Sequence, residues 1–408
     1  MKPVRWGIGI LLAFDVLAIG GTIAWALVTV ELSSAALFIL WAIHTSRAQH
    51  ADIHWNWLYP GLFGLGLVGF MQYQLGLTSS PYLTKLELLK WAAYLLLFFL
   101  TIESVCSFHE TPRFGWLLIL LGFFVSLFAI IQHFTSNGKL YWLIALRQGG
   151  QLFGPYVNRD HFAGFVELTV PLGLSMLLDG PWRRERLALL LLLTIIPIGA
   201  LGLSASRAGI AVLFIESVIL FLLSRKRLLQ RKRLLVCLIV VSLAGAFTTW
   251  LGIGETVRRM ELLTEAGSLN RRVTMYRDTW KIFKQHEWLG TGLGTLVVVY
   301  PRYESFYDGH MVEHAHCDYL ELLSDTGLVG ALFGFIFVVL LFWQGLANVC
   351  RNECGPAHAV RAGALTSCIG LLIHSAFDFN LHIPANALIF LLLAAIATSD
   401  VGTPSHVL

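Results

Sequence analysis

Charge is what this sequence has least of: Asp, Glu, Lys and Arg make up 13% of its 408 residues, where soluble domains carry about a quarter. So few charges cannot clothe a globule of this length, which excludes a soluble enzyme. The 56% of hydrophobic residues and the mean hydropathy of +0.70 exclude a disordered chain. Six cysteines, scattered mostly within apolar runs, exclude a secreted disulfide scaffold. The excess of 29 Lys and Arg over 25 Asp and Glu leaves a net +4, too little to call for a nucleic-acid partner. Tandem repeats, low-complexity tracts and Asp-x-Asp pairs are absent. What is there in abundance is apolar length, which makes the chain an all-α polytopic membrane protein with bilayer lipids as its first partner.

A spanning helix needs about 20 apolar residues, and the chain offers about twelve such stretches. They run at 6–23, 26–44, 55–75, 86–105, 114–134, 160–178, 187–203, 208–223, 234–251, 323–347, 362–376 and 384–399. The first two form one apolar run whose turn signal is Gly20-Gly21, read as two hairpinned helices. The apolar start has no small-residue cleavage site and is expected to stay as a span. The organisation is then a nine-helix membrane domain over 1–251, a long loop over 252–322 and three C-terminal helices over 323–408.

Lys and Arg of short loops stay on the cytoplasmic side. With the N-terminus inside, the inner segments hold Lys2, Arg5, Arg47, Arg113, Arg183, Arg184, Arg186, the run Arg225, Lys226, Arg227, Arg231, Lys232 and Arg233, then Arg351 and Arg361. The opposite short loops hold Lys85, Lys139, Arg147, Arg159 and Arg207. Fifteen against five puts both termini in the cytoplasm and the 252–322 loop outside, where its own length exempts it from the charge rule. A loop of that length in a compact protein is more often functional than not.

Polar residues gather at the outward ends of the spans, where their cost marks a site. Tyr156, Asn158, Arg159, Asp160 and His161 precede the sixth span; Ser204, Ser206 and Arg207 join the seventh and eighth; His374, Asp378, Asn380 and His382 join the last two. Arg207 has no acidic neighbour in sequence, and a guanidinium fork matches phosphate oxygens. In the long loop, residues 270–286 have helical periodicity, with Val273, Tyr276, Trp280 and Phe283 as an apolar stripe and Arg277, Lys281 and Lys284 as a basic one. That pattern predicts an amphipathic helix on the membrane, with Arg272 drawn inward as a second anion ligand and Arg271 pointing away. Gly290-Thr-Gly292-Leu-Gly294 follows a helical pattern, not a strand, so it reads as a turn of unusual backbone angles and not as a nucleotide loop.

His314-Ala-His316-Cys317-Asp318 has the spacing of a metal motif, and two imidazoles with a carboxylate can hold zinc. No metallohydrolase-like alternation of strands and helices surrounds it. The competing reading is a histidine base, whose titration near neutrality suits taking a proton from a hydroxyl. Two residues on a helix starting here point about 200° apart, so only one imidazole can face the Arg207 side. His316 is preferred, because Tyr319, Leu320, Leu323 and Gly327 continue its face as the stripe of the tenth span, while His314 would face solvent.

These residues resemble the O-antigen ligase and O-antigen polymerase superfamily of bacterial membrane glycosyltransferases. The resemblance covers the number of spans, the long loop before the last three helices, and motifs over residues 154–335. The ligase signature of His, one polar residue, nine residues, Gly, two residues and Gly is met from His316 through Gly327 to Gly330. Position 317 is Cys where the signature has Asn, Ser or Gln. Arg207 matches the family's turn arginine, Arg272 its loop-helix arginine, and Tyr156 to Gly164 its Asn-rich segment.

The resemblance implies a GT-C-like fold in the bacterial inner membrane with an active site on the periplasmic side. The donor would be a glycan on undecaprenyl diphosphate; the acceptor, lipid A core for a ligase or a growing polysaccharide for a polymerase. His316 would be the base of an inverting, metal-independent transfer, and Arg207 and Arg272 the diphosphate ligands, with no cofactor and no metal residue. His314, Asn158, Arg159, His161, Arg271 and Asp378 are secondary site candidates. A transporter or flippase also fits twelve spans with Arg and His, although carriers place polar residues near the midplane.

Overall fold

The computed structural model describes residues 1–47, 53–107, 109–145, 151–179, 183–223, 266–307, 309, 311–351 and 355–399. Within them the chain is helical, with two isolated bridges and no strand. The ninth predicted span, the basic run before it and the first part of the long loop lie outside the described residues, as do Arg147 and His310.

The Gly20-Gly21 signal is a real break: α1 (Lys2–Leu17) and α2 (Ala24–Arg47) are separated by a turn in which both glycines take positive φ, 65° and 75°. Then come α3 (Tyr59–Gln74), α4 (Pro81–Ser104), α5 (Glu110–Thr135), α6 (Arg159–Asp179), α7 (Arg184–Ser204) and α8 (Arg207–Leu223). Prolines open several helices at positions where the missing N–H costs nothing, and α4 adds a Ser80 side-chain cap on the Leu83 N–H. After the undescribed stretch follow α9 (Ala266–Gln285), the single turn α10 (Leu296–Val299), α11 (Asp318–Cys350), α12 (Pro356–His374) and α13 (Pro384–Thr398).

Six of these are long and apolar enough to cross a membrane: α2, α5, α6, α7, α11 and α12. Of the other predicted spans, α1, α3, α8 and α13 have 15 to 17 residues, and α4 carries Lys85, Glu87 and Lys90 in its first half. The chain is a multi-pass membrane protein. Exposed Leu32, Phe214 and Phe335 on α2, α8 and α11 suit a lipid-facing perimeter, while α6 and α12 lie almost wholly inside the bundle.

In lipid, helices gain little from hydrophobic burial against one another, so close backbone approach through small residues decides the packing. Gly363 of α12 is such a contact: a Cβ there would stand 2.8 Å from the Leu172 Cα of α6. α12 thereby becomes the central neighbour of α6, and its C-terminal end is carried to the N-terminal end of α6. Arg361, expected in a loop, is instead buried in the second turn of α12, because that helix begins six residues earlier than its apolar stretch.

The tenth span also departs from a continuous helix. α11 starts at Asp318 and breaks at Gly327, whose φ of 62° and ψ of −164° belong to glycine alone. The break lets two chain segments pair: Leu328 N–H donates to Glu287 O at 2.7 Å, Thr291 N–H to Ser324 O at 2.9 Å and Gly292 N–H to Asp325 O at 3.0 Å. Gly290, Gly292 and Gly294 all take positive φ there, as their spacing predicts for a turn. The Gln72 side chain of α3 closes the arrangement, donating to Asp325 O at 2.7 Å and accepting from Leu293 N–H at 3.0 Å. α9 thus reaches the bundle on a rigid, backbone-bonded joint.

Candidate functional site

The N-terminal end of α6, the α7–α8 turn, α9, residues 311–318 and the α12–α13 turn meet at one end of the bundle. The meeting point is built by the segment before α11. His316 holds a left-handed backbone (φ 51°), Cys317 is extended, and Asp318 begins the helix with its N–H donating to Ser375 O at 2.9 Å. This anchors the segment to the end of α12. The Tyr276 hydroxyl of α9 donates to His316 O at 2.8 Å and fixes the other side.

His316 Nδ1 lies 2.9 Å from Asp378 Oδ1. Asp378 is 1% exposed; burial works to raise its carboxyl pKa, but the His316 hydrogen bond and the nearby His161 and Arg272 outweigh this and hold it well below the usual carboxylate range. An ionised carboxylate can only accept, so Nδ1 carries a proton, and in the neutral imidazole the lone pair is on Nε2. With 28% of its side chain exposed, His316 is oriented from within and open from outside. This is the arrangement of an oriented proton acceptor. Burial pushes the neighbouring Cys317 thiol up, which leaves it un-nucleophilic.

The helix-phase expectation for His314 and His316 does not hold. Both precede α11, and the left-handed backbone at His316 brings both rings against Phe379: His314 stacks on it at 4.4 Å and His316 meets its edge at 4.9 Å. His314 is no more turned to solvent than His316, with 28% of its side chain exposed, and its Nδ1 lies 2.8 Å from Glu321 Oε1. Nor do His314, His316 and Asp318 form one cluster, since each turns to a different partner. Asp318 Oδ1 is 2.7 Å from His382 Nδ1, and His382 Nε2 is 3.2 Å from Glu321 Oε1. Burial opposes a charge on His382, yet Glu321 and Asp318 prevail and raise it to about 9.

Arg272 donates from Nη1 to Phe377 O at 3.1 Å and places Nη2 3.7 Å from Asp160 Oδ2. Asp160 also accepts from the Ser206 hydroxyl at 2.6 Å, which ties α6 to the turn where Ala205 takes a left-handed φ of 56°. Arg207 follows at once as the exposed first residue of α8. Asn158 caps α6 by accepting from Asp160 N–H at 2.9 Å, and Arg159 is the first residue of that helix. His161 is buried, with its ring 4.6 Å from Phe379. Arg271 is half-buried like Arg272, and so is not the fully solvent-facing residue expected. The buried face of α9 is rotated from the expected one: Met275, Asp278, Thr279, Ile282 and Phe283 face inward, while Val273 and Trp280 are exposed. Asp278 draws the rotation, accepting from the Ser305 hydroxyl at 2.8 Å and from Lys281 at 2.8 Å.

Residues 187–336 match the family model described as O-antigen ligase. Over that stretch the chain is similar to the O-antigen ligase family. No curated protein matches the chain. The matched ligase region runs from α7 into α11 and contains Arg207, Arg272, His314 and His316; Asp378, Phe379 and His382 lie beyond it and reach it only through the fold. Glu321 and Phe379 are site neighbours that sequence reading passed over. Glu321 had a signal, an acid seven residues after His314 at the head of an apolar helix; Phe379 had none. Also missed within the helical bundle is the Glu167–His374 pair at 2.8 Å, with Glu216 buried against Gly370.

Proposed function

We propose that the protein transfers a glycan from undecaprenyl diphosphate to an acceptor hydroxyl at the periplasmic face of the bacterial inner membrane, with lipid A core as acceptor in the manner of a ligase. The observation that carries this reading is the His316–Asp378 pair standing beside Arg272 within the O-antigen ligase setting. Nε2 of His316 takes the proton of the acceptor hydroxyl as its oxygen bonds to the anomeric carbon. The bond from that carbon to the diphosphate oxygen breaks, and the configuration inverts in a single displacement. Charge builds on the leaving diphosphate, so Arg207 and Arg272 contribute most in the transition state, doing there what a divalent cation does elsewhere. Asp160 holds the Arg272 fork at 3.7 Å, loosely enough for a phosphate to displace it.

The GT-C-like arrangement of about twelve spans belongs to the same reading. A polymerase using a growing polysaccharide as acceptor shares every one of these residues, and a deletion strain separates the two: undecorated lipid A core with intact long polymer for a ligase, single repeat units for a polymerase. The buried Glu167–His374 pair and Glu216 within the bundle favour a carrier as the second reading. Purified protein in liposomes decides between them. Transferase function requires His316→Ala to lose at least about a hundredfold in glycan transfer while donor binding persists, and Arg272→Ala to weaken donor binding itself. Normal transfer by His316→Ala would overturn the mechanism, and transport without transfer would establish the carrier.

A further inference from the structure

Beside Phe379, whose ring stacks on His314, lies a second cluster that the transfer chemistry does not use. His314, Glu321 and His382 each present one ligand atom, all within 4.8 Å of one another. They come from three separate elements: the loop before α11, the first turn of α11, and the α12–α13 turn. We propose that these three side chains form a zinc-type divalent metal site.

Two imidazoles and a carboxylate are a zinc donor set, and bonds of about 2.0–2.1 Å in tetrahedral geometry set neighbouring donors about 3.3 Å apart. His382 Nε2 stands 3.2 Å from Glu321 Oε1, His314 Nδ1 stands 2.8 Å from the same oxygen, and all three donors lie within 4.8 Å, so the two imidazoles would adjust around the ion as it binds. The outer contacts are of the kind that orient metal ligands. His382 Nδ1 donates to Asp318 Oδ1 at 2.7 Å, which aims Nε2 at the centre. Asp318 is itself fixed by the Leu381 N–H, which donates to its other oxygen at 3.0 Å. Glu321 Oε2 accepts from Ala315 N–H at 2.9 Å, which leaves Oε1 for the metal. Phe379 stacks on the His314 ring and holds its plane.

The three ligands cross-link the segments that carry His316 and Asp378. Zinc here fastens the base and its carboxylate in register, and it takes the place of a proton between His382 Nε2 and Glu321 Oε1. It has no contact with the diphosphate, so it is compatible with arginines acting on the leaving group. The site and the transferase reading fail separately, because metal content is measured without substrate.

Full-length protein, purified in detergent and stripped with chelator, is titrated with zinc and assayed for bound metal and thermal midpoint. One zinc per chain and a raised midpoint are expected. His314→Ala and His382→Ala should lose both, while His316→Ala, whose imidazole is turned to Asp378, should keep both. Asp318→Asn should bind about ten- to a hundredfold more weakly, the usual effect of removing an outer partner. Absence of stoichiometric zinc in the folded wild type would overturn the site, as would retention of zinc by both His314→Ala and His382→Ala.

Discussion

Asp378 never has to touch a substrate to matter. Its oxygen receives the His316 Nδ1 proton and so decides which ring nitrogen has a lone pair. An asparagine of the same size can present its own N–H to Nδ1, which moves the ring proton to Nε2 and removes the acceptor. Asp378→Asn is therefore expected to lower kcat at least about a hundredfold with donor KM nearly unchanged, since tautomer control of this kind is worth up to about ten-thousandfold. A matching rise in KM would mean that Asp378 shapes the pocket and does not orient the base. The opposite ranking of the two histidines, with His314→Ala inactive and His316→Ala near normal, would move the base to the His314–Glu321 pair. At this scale the sequence displayed the residue types but not their pairing. His316 and Asp378 lie 62 positions apart. The left-handed turn at His316, which puts both imidazoles on Phe379, replaces the helical phase that spacing alone suggests.

Elements were legible where apolar length and glycine punctuation agree, as in α1 and α2 on either side of Gly20-Gly21 and in α5 to α8. They were misread where a tertiary partner overrides periodicity. The buried Asp278 turns α9 away from its apparent apolar stripe, and the 287–292 segment draws a break into α11. That break supplies a test. A Cβ on Gly327 would stand 2.3 Å from the Trp288 carbonyl carbon, in a backbone conformation other residues avoid. Gly327→Ala should cost at least about 1–3 kcal/mol, read as a lowered thermal midpoint in detergent. Gly334→Ala is the control in the same helix: its new methyl meets a movable Leu322 methyl, and its effect should be clearly smaller. Equal midpoints for the two variants would show that the joint between α9 and α11 is soft.

At the scale of the whole molecule, every residue assigned to the transfer lies at one end of the helices, so orientation in the bilayer decides which compartment the reaction serves. Arg159 and Arg207 open α6 and α8 at that end, while Arg184 and Arg351 flank the opposite ends of α7 and α11. The fifteen-to-five distribution of Lys and Arg read from the sequence, fourteen to five with Arg361 placed inside α12, favours a periplasmic site and cytoplasmic termini. The structure adds positions suited to testing it: Tyr307, 69% exposed, lies in the loop between α10 and α11, and Arg351 is exposed just past the far end of α11. In a background with the six native cysteines replaced, Tyr307→Cys should react with a membrane-impermeant thiol reagent in cells whose outer membrane has been made permeable. Arg351→Cys should stay protected until the inner membrane is opened. Because the part of α11 beyond its break at Gly327, running on to Cys350, is still long enough to cross a bilayer, the pair reads one crossing directly. The reverse labelling pattern would place His316 in the cytoplasm, away from a periplasmic acceptor, and would force the donor, the acceptor and the direction of transfer to be reassigned together.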